Sequence, residues 1–245
     1  MNSMIARELN MTLGPVAISF TNEKPAGALQ YEEGQRGCVI ARLTDAANGR
    51  IAVFDRKTVG CTGGIAGLGF GSAYDGMPGG IEYFLSTGRG PGYPEGEAYK
   101  KTPELAKSLI ESMPMTNIPY EYVVFSPLAS VPEGAEPVVV CFYATVEQLA
   151  ALVVLANYGR PGNDNVTIPM ASGCSTVCLL PYTEGKRETP RGVVGCMDIS
   201  ARPHLPNNVL TFSVPFAMFK EMEGNVEGSF LQRSAWAKVK PRLAE

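Results

Sequence analysis

Pro137-Val138-Val139-Val140-Cys141-Phe142-Tyr143, with Thr145-Val146-Glu147-Gln148 close behind it, is the stretch that decides the fold. An unbroken β-branched and aromatic run reads as a strand covered on both faces. Thr145 and Gln148 have the spacing of a capping box, so a helix starts at once and closes near Tyr158-Gly159. Cys141 reads as core, because a free cysteine buries like a small hydrophobe.

Working outward, the same alternation continues on both sides. Upstream, Met4 to Leu13 reads as a helix, and Pro15-Val16-Ala17-Ile18-Ser19-Phe20 and Ile51 to Phe54 as strands. The segment Val39 to Ala47 fits a helix, and Tyr120 to Ser126 another strand. Thr102-Pro103-Glu104 supplies an N-cap and a proline at the first helical position, so a helix should run to about Ser112, before Pro114. Downstream, Val166 to Met170 and Val209 to Ser213 read as strands, and Pro215 to Met222 and Gly228 to Lys240 as closing helices. The segment Tyr74 to Lys101, with Tyr83, Phe84, Tyr93 and Tyr99, reads as a long irregular stretch over a site or at an interface. The class is therefore α/β or α+β, a mixed β-sheet with flanking helices.

With 245 residues, 45% hydrophobic and 18% charged, the chain can bury a full core as a single domain, 1–245. Two intimate halves, 1–115 and 116–245, are the alternative. A net charge of −3 leaves no electrostatic footprint for nucleic acid or an anionic membrane. Met1 to Met11 lacks the pattern of a signal peptide, and no apolar run reaches the roughly 20 residues of a membrane span. The expectation is a cytoplasmic protein, in which stable disulfides are disfavoured.

Six cysteines in a reducing compartment call for a metal, redox or plain packing account. Four follow glycine: Cys38, Cys61, Cys174 and Cys196. The first two lie 23 positions apart and the last two 22, which admits pseudo-repeated halves meeting at a cysteine-lined site. An iron–sulfur cubane takes four thiolates, and a neighbouring glycine lets the backbone approach and donate to sulfur. These four are the candidate ligands of a 4Fe-4S cluster, with Cys178 able to replace one. Zinc would favour tight pairs, and only Cys174 and Cys178 are so spaced. Structural cysteines beside tight turns are the bland alternative.

The run Gly60-Cys61-Thr62-Gly63-Gly64-Ile65-Ala66-Gly67-Leu68-Gly69-Phe70-Gly71 could cradle a ligand with its amides, although it matches no nucleotide-binding fingerprint. Gly63, Gly64 and Arg202 are the candidate cofactor-binding residues. A helix start packed behind Cys61 explains the glycines equally well. Asp198 and Arg202 could line a pocket or pair with each other. Thiol catalysis assisted by imidazole would depend on His204, the sole histidine.

Several pieces in order resemble a known family. They are Pro15-Val16-Ala17, Arg36-Gly37-Cys38, Cys61-Thr62-Gly63-Gly64 with Leu68-Gly69, and Phe125-Ser126-Pro127-Leu128. Glu136-Pro137-Val138-Val139-Val140, Gly173-Cys174, and Gly195-Cys196 with Asp198 and Arg202 come after them. Together they resemble the domain-of-unknown-function 169 family of archaea and anaerobic bacteria, over roughly residues 5 to 225. That resemblance implies no particular reaction, but an anaerobic setting with cysteines at these positions favours an oxygen-sensitive cluster. The leading expectation is thus an iron–sulfur protein with a redox or electron-transfer role, served by a redox partner protein or small molecule. A metal-free small-molecule binding module with its pocket at 60–71, and a cysteine-dependent enzyme, are the alternatives. Aromatics in 74–101 fit a homodimer or a lid.

Overall fold

A computed structural model describes residues 1–72, 74, 77, 79–89 and 94–244. In chain order the elements are α1 (Met4–Glu8), β1 (Val16–Thr21), α2 (Val39–Ala47), β2 (Ala52–Phe54), α3 (Thr62–Gly67), α4 (Ile81–Phe84) and α5 (Pro103–Ser112). Then come β3 (Tyr122–Pro127), β4 (Val139–Ala144), α6 (Val146–Tyr158), β5 (Val166–Thr167), a π-helical turn (Ser175–Leu179) and α7 (Leu180–Glu184). The chain closes with β6 (Gly192–Gly195), β7 (Leu210–Pro215), α8 (Phe216–Asn225) and α9 (Ser234–Ala237).

The strands form one seven-stranded sheet in the order β2-β3-β1-β4-β7-β6-β5. All neighbours run antiparallel except β5 and β6, so the sheet is mixed and the fold α+β. Strand β4 lies at its centre with all six residues buried, as its apolar run requires. Its alternate side chains serve two cores. Val139, Cys141 and Tyr143 join Val16, Ile18, Phe54 and Phe125 beneath α2, while Val140, Phe142 and Ala144 join Phe212 and Val214 beneath α6 and α8. Period-two alternation in a central strand thereby holds two layers of helix on one sheet.

The helix signals act as read. Thr145 and Gln148 form a full capping box, and Thr102 Oγ1 accepts from the Leu105 amide at 3.4 Å at the start of α5. Two helices are shorter than their patterns suggest. The first stops at Glu8, and Asn10 then turns left-handed with φ 48°. The span Gly228 to Lys240 breaks into a 3-10 turn, Phe230–Gln232, and α9, because Ser229 Oγ caps Leu231 and Arg233 is extended.

Equivalent halves are not apparent. Strands β1 and β4, each opened by Pro-Val, are antiparallel neighbours, yet the elements after them differ. After β1 the chain covers one face with α2; after β4 it covers the other with α6. Strand β3, from 116–245, sits between β2 and β1, both from 1–115.

Candidate functional site

The Gly-Cys dipeptides stand where elements begin or end. Cys38 is the N-cap of α2, Cys61 the N-cap of α3, and Cys174 sits one residue ahead of the π-helical turn. Cys196 comes directly after β6 in the left-handed conformation, φ 58°. The first two dipeptides are direct neighbours. Gly60 has φ +87°, and a Cβ there would lie 2.9 Å from the Gly37 amide nitrogen and carbonyl oxygen, so only glycine lets the chains touch. The Gly37 amide donates to the Gly60 carbonyl at 3.1 Å. Tyr31 adds a clamp: its hydroxyl donates to the Cys38 carbonyl at 3.0 Å and accepts from the Cys38 amide at 3.2 Å.

Helix α3 then packs on the segment carrying Cys174. A Cβ at Gly67 would lie 2.5 Å from Cys174 Cβ and 2.7 Å from the Ser175 nitrogen. The missing side chain lets α3 pack closely on that segment, and the Cys174 thiol is the main influence that favours the Cys61 thiolate. The Gly64 amide donates to the Cys61 sulfur at 3.2 Å, and the Gly63 amide favours the thiolate as well. These influences bring the Cys61 thiol down to about 7 against the resistance of burial. Cys174 moves the other way, pushed well up by Cys61 and by burial. Of the two, Cys61 is the one that ionises first and Cys174 the one that holds its proton.

Both residues line a cavity of about 400 Å³, Cys61 exposed and Cys174 buried. Its floor carries Cys38, Cys61, Gly63 and Cys174. One wall is α5, through Leu109, Ile110 and Met113; Met170, Met197 and Ile199 face it, and Tyr74, Met77, Phe84 and Leu85 close a side. Helix α5 has only Ala106 buried, so its apolar stripe serves the cavity rather than the main core. Burial raises the Tyr74 hydroxyl to about 12 and keeps it protonated.

The polar corner of the cavity is Asp198. Its carboxylate accepts from the Ser200 hydroxyl at 2.7 Å, the Ser200 amide at 3.1 Å, the Tyr99 hydroxyl at 3.2 Å and the Gly173 amide at 3.3 Å. It caps the 3-10 turn Ile199–His204 and ties the 94–101 segment to the segment carrying Cys174.

The four-thiolate cluster expected from the spacing is corrected here. Among the described residues no group of three or more His, Cys, Asp or Glu side chains is disposed to hold a metal ion. The sulfurs do not converge: Cys38, Cys61 and Cys174 line the cavity, whereas Cys196 is fully buried outside it. The Cys196 amide is bound at 3.1 Å to Thr176 Oγ1, and burial pushes its thiol up to about 11. The residues present do not fit a 4Fe-4S cluster, so the iron–sulfur role falls with it. Cys141 and Cys178 are wholly buried core thiols, raised by that burial.

Of the residues read as ligand-binding, Gly63 lines the cavity. Gly64 is buried and gives its amide to the Cys61 sulfur rather than to open space. Arg202 lies outside the lining and donates to the Val209 carbonyl at 2.7 Å; it makes no ion pair with Asp198 among the described residues. His204 is likewise absent from the lining, and its carbonyl accepts from Thr44 Oγ1 at 3.0 Å. Of the aromatics in 74–101, Tyr74, Phe84 and Tyr99 line the cavity, while Tyr93 lies outside the described residues. The α5 wall escaped the sequence reading, although an amphipathic helix with no evident partner was its signal.

Among the described residues no helix is long and apolar enough to cross a membrane. A family model, DUF169, described as uncharacterised ArCR, matches residues 4–225. No curated protein and no solved structure matches the chain.

Proposed function

Because this chain belongs to the DUF169 family, described as uncharacterised, we propose its function from the site itself: it binds a small, largely apolar molecule against a reactive thiol. The observation that carries this reading is the cavity of about 400 Å³, walled by apolar side chains, with Cys61 and Cys174 on its floor and Asp198 at its polar corner. That size and composition suit small-molecule recognition, in which a few polar groups orient a mostly apolar ligand. Burial of apolar ligand surface drives binding at about 25 cal/mol per Å². Asp198 spends its acceptor capacity on Tyr99, Ser200 and Gly173, so it shapes the polar corner instead of offering a free acceptor. The Cys61 thiolate is the group left open to the ligand.

The test is a titration with Nile red, a neutral apolar dye, under reducing conditions. The wild-type protein should bind it with a fluorescence rise and should react more slowly with iodoacetamide at Cys61 when the dye is present. Ile110→Glu, which places a carboxylate in the α5 wall, should weaken dye binding at least about tenfold while far-UV circular dichroism stays unchanged. Equal affinity in variant and wild type, with no protection of Cys61, overturns the reading.

A further inference from the structure

A second activity is built into the floor of the cavity. Cys61 and Cys174 are far apart in sequence, at the start of α3 and just ahead of the π-helical turn, yet both line one cavity and their thiols influence each other directly. The close approach of Gly67 to Cys174 and Ser175 packs α3, which Cys61 caps, onto the segment that carries Cys174. The two thiols are unequal. Cys61 is exposed to the cavity, whereas Cys174 is 7% exposed and stands behind it. An accessible sulfur backed by a shielded one is the division of labour that thiol–disulfide exchange needs: one sulfur attacks from solvent, and the other resolves from within. The packing role that serves Cys141 and Cys178 does not account for it, because neither of those faces the cavity.

We propose that Cys61 and Cys174 form a dithiol that exchanges with low-molecular-weight disulfides admitted through the cavity, closing to an internal disulfide. The Cys61 thiolate attacks one sulfur of the disulfide RSSR. The S–S bond of RSSR breaks, and one RS⁻ departs with the bonding pair, leaving a mixed disulfide on Cys61. Cys174 then gives up its proton to solvent and attacks the Cys61 sulfur. The mixed disulfide breaks, the second RS⁻ leaves, and the Cys61–Cys174 bond forms. Two electrons pass from the protein to RSSR, and the two protons of the dithiol end on two RSH. The order of attack follows from exposure, and the lowered proton affinity of Cys61 reinforces it. Cys38, the third thiol on the floor, is raised by burial and is the weaker attacker.

The exchange uses the same cavity but does not require the apolar ligand, so either reading can fail alone. Nile red binding is read on the reduced protein, and exchange on the dye-free protein.

The experiment treats fully reduced full-length protein with 2-hydroxyethyl disulfide near neutral pH and follows intact mass and disulfide-mapped peptides. Wild type should lose two thiols, retain no adduct and yield a Cys61–Cys174 linked peptide. Cys174→Ser should stop at a stable adduct on Cys61. Cys61→Ser should lose thiols about tenfold more slowly, because the thiolate is the attacking species. Cys141→Ser should behave as wild type. A lasting adduct on the wild-type protein overturns the proposal, as does a mapped Cys38–Cys61 link. Mapping is done on the wild type itself, so the test stands even where a variant fails to fold.

Discussion

At Cys61 one sulfur is influenced by the Cys174 thiol and the Gly63 amide and accepts from the Gly64 amide at 3.2 Å. Each favours the anion, and this sets the sign of the pH dependence. Alkylation by iodoacetamide needs the thiolate, so its rate should rise with pH to a half-maximum near the group's value of about 7, well below an ordinary thiol at 9.0. Cys174→Ala removes the first of these influences and should carry the midpoint upward. A midpoint that stays near 7 would assign the effect to the two glycine amides alone. Sequence could bring Cys61 to attention but could not separate it from Cys196. Both follow glycine, yet one caps a helix at a cavity floor and the other ends a strand in the core. The difference lies in tertiary surroundings that a dipeptide does not encode.

Among the elements, α3 and the Cys174 segment are held together by glycine contact, and two neighbouring glycines make a contrast. Gly67→Ala would drive a methyl into Cys174 and Ser175 and should destabilise the fold by about 1–3 kcal/mol, the usual cost of overpacking. A Cβ at Gly63 meets nothing within 4 Å, so Gly63→Ala in the same helix should be neutral or stabilising by up to about 1 kcal/mol. Urea unfolding of both variants reads the difference; equal destabilisation would remove the close contact as the explanation. Thr145→Ala should cost about 1 kcal/mol through loss of the capping box on α6, by the same measurement. Elements with strong local chemistry, such as α2, α5, α6 and β4, were legible because caps and apolar runs act over a few residues. Strand β6 was hidden in Gly192-Val193-Val194-Gly195, since its two glycines make room for Phe212 and Thr176 of neighbouring elements. The π-helical turn left no local mark either; all five of its residues, Ser175–Leu179, are buried.

For the whole molecule, the position of β3 between β2 and β1 makes the halves mutually dependent. Strand β2 joins the sheet through β3, and its other edge meets the chain in a parallel bridge from Leu29 to Ala52. Fragments 1–115 and 116–245 should therefore show little cooperative unfolding alone and regain it on mixing, as followed by circular dichroism with urea. A fragment 1–115 that melts cooperatively by itself would contradict this. The mixed sheet was legible as a class, but its strand order was not, because pairing across a hundred residues has no local signature. The insertion of β3 also sets a timetable for biosynthesis. Strand β1 is complete at Thr21, and its partner β3 begins only at Tyr122. At about 5–20 residues per second, the ribosome leaves that apolar strand without its neighbour for some seconds. The nascent chain thus spends a large part of its synthesis with β1 complete and its two edges unpaired, the hundred residues between it and β3 setting how long that exposure lasts.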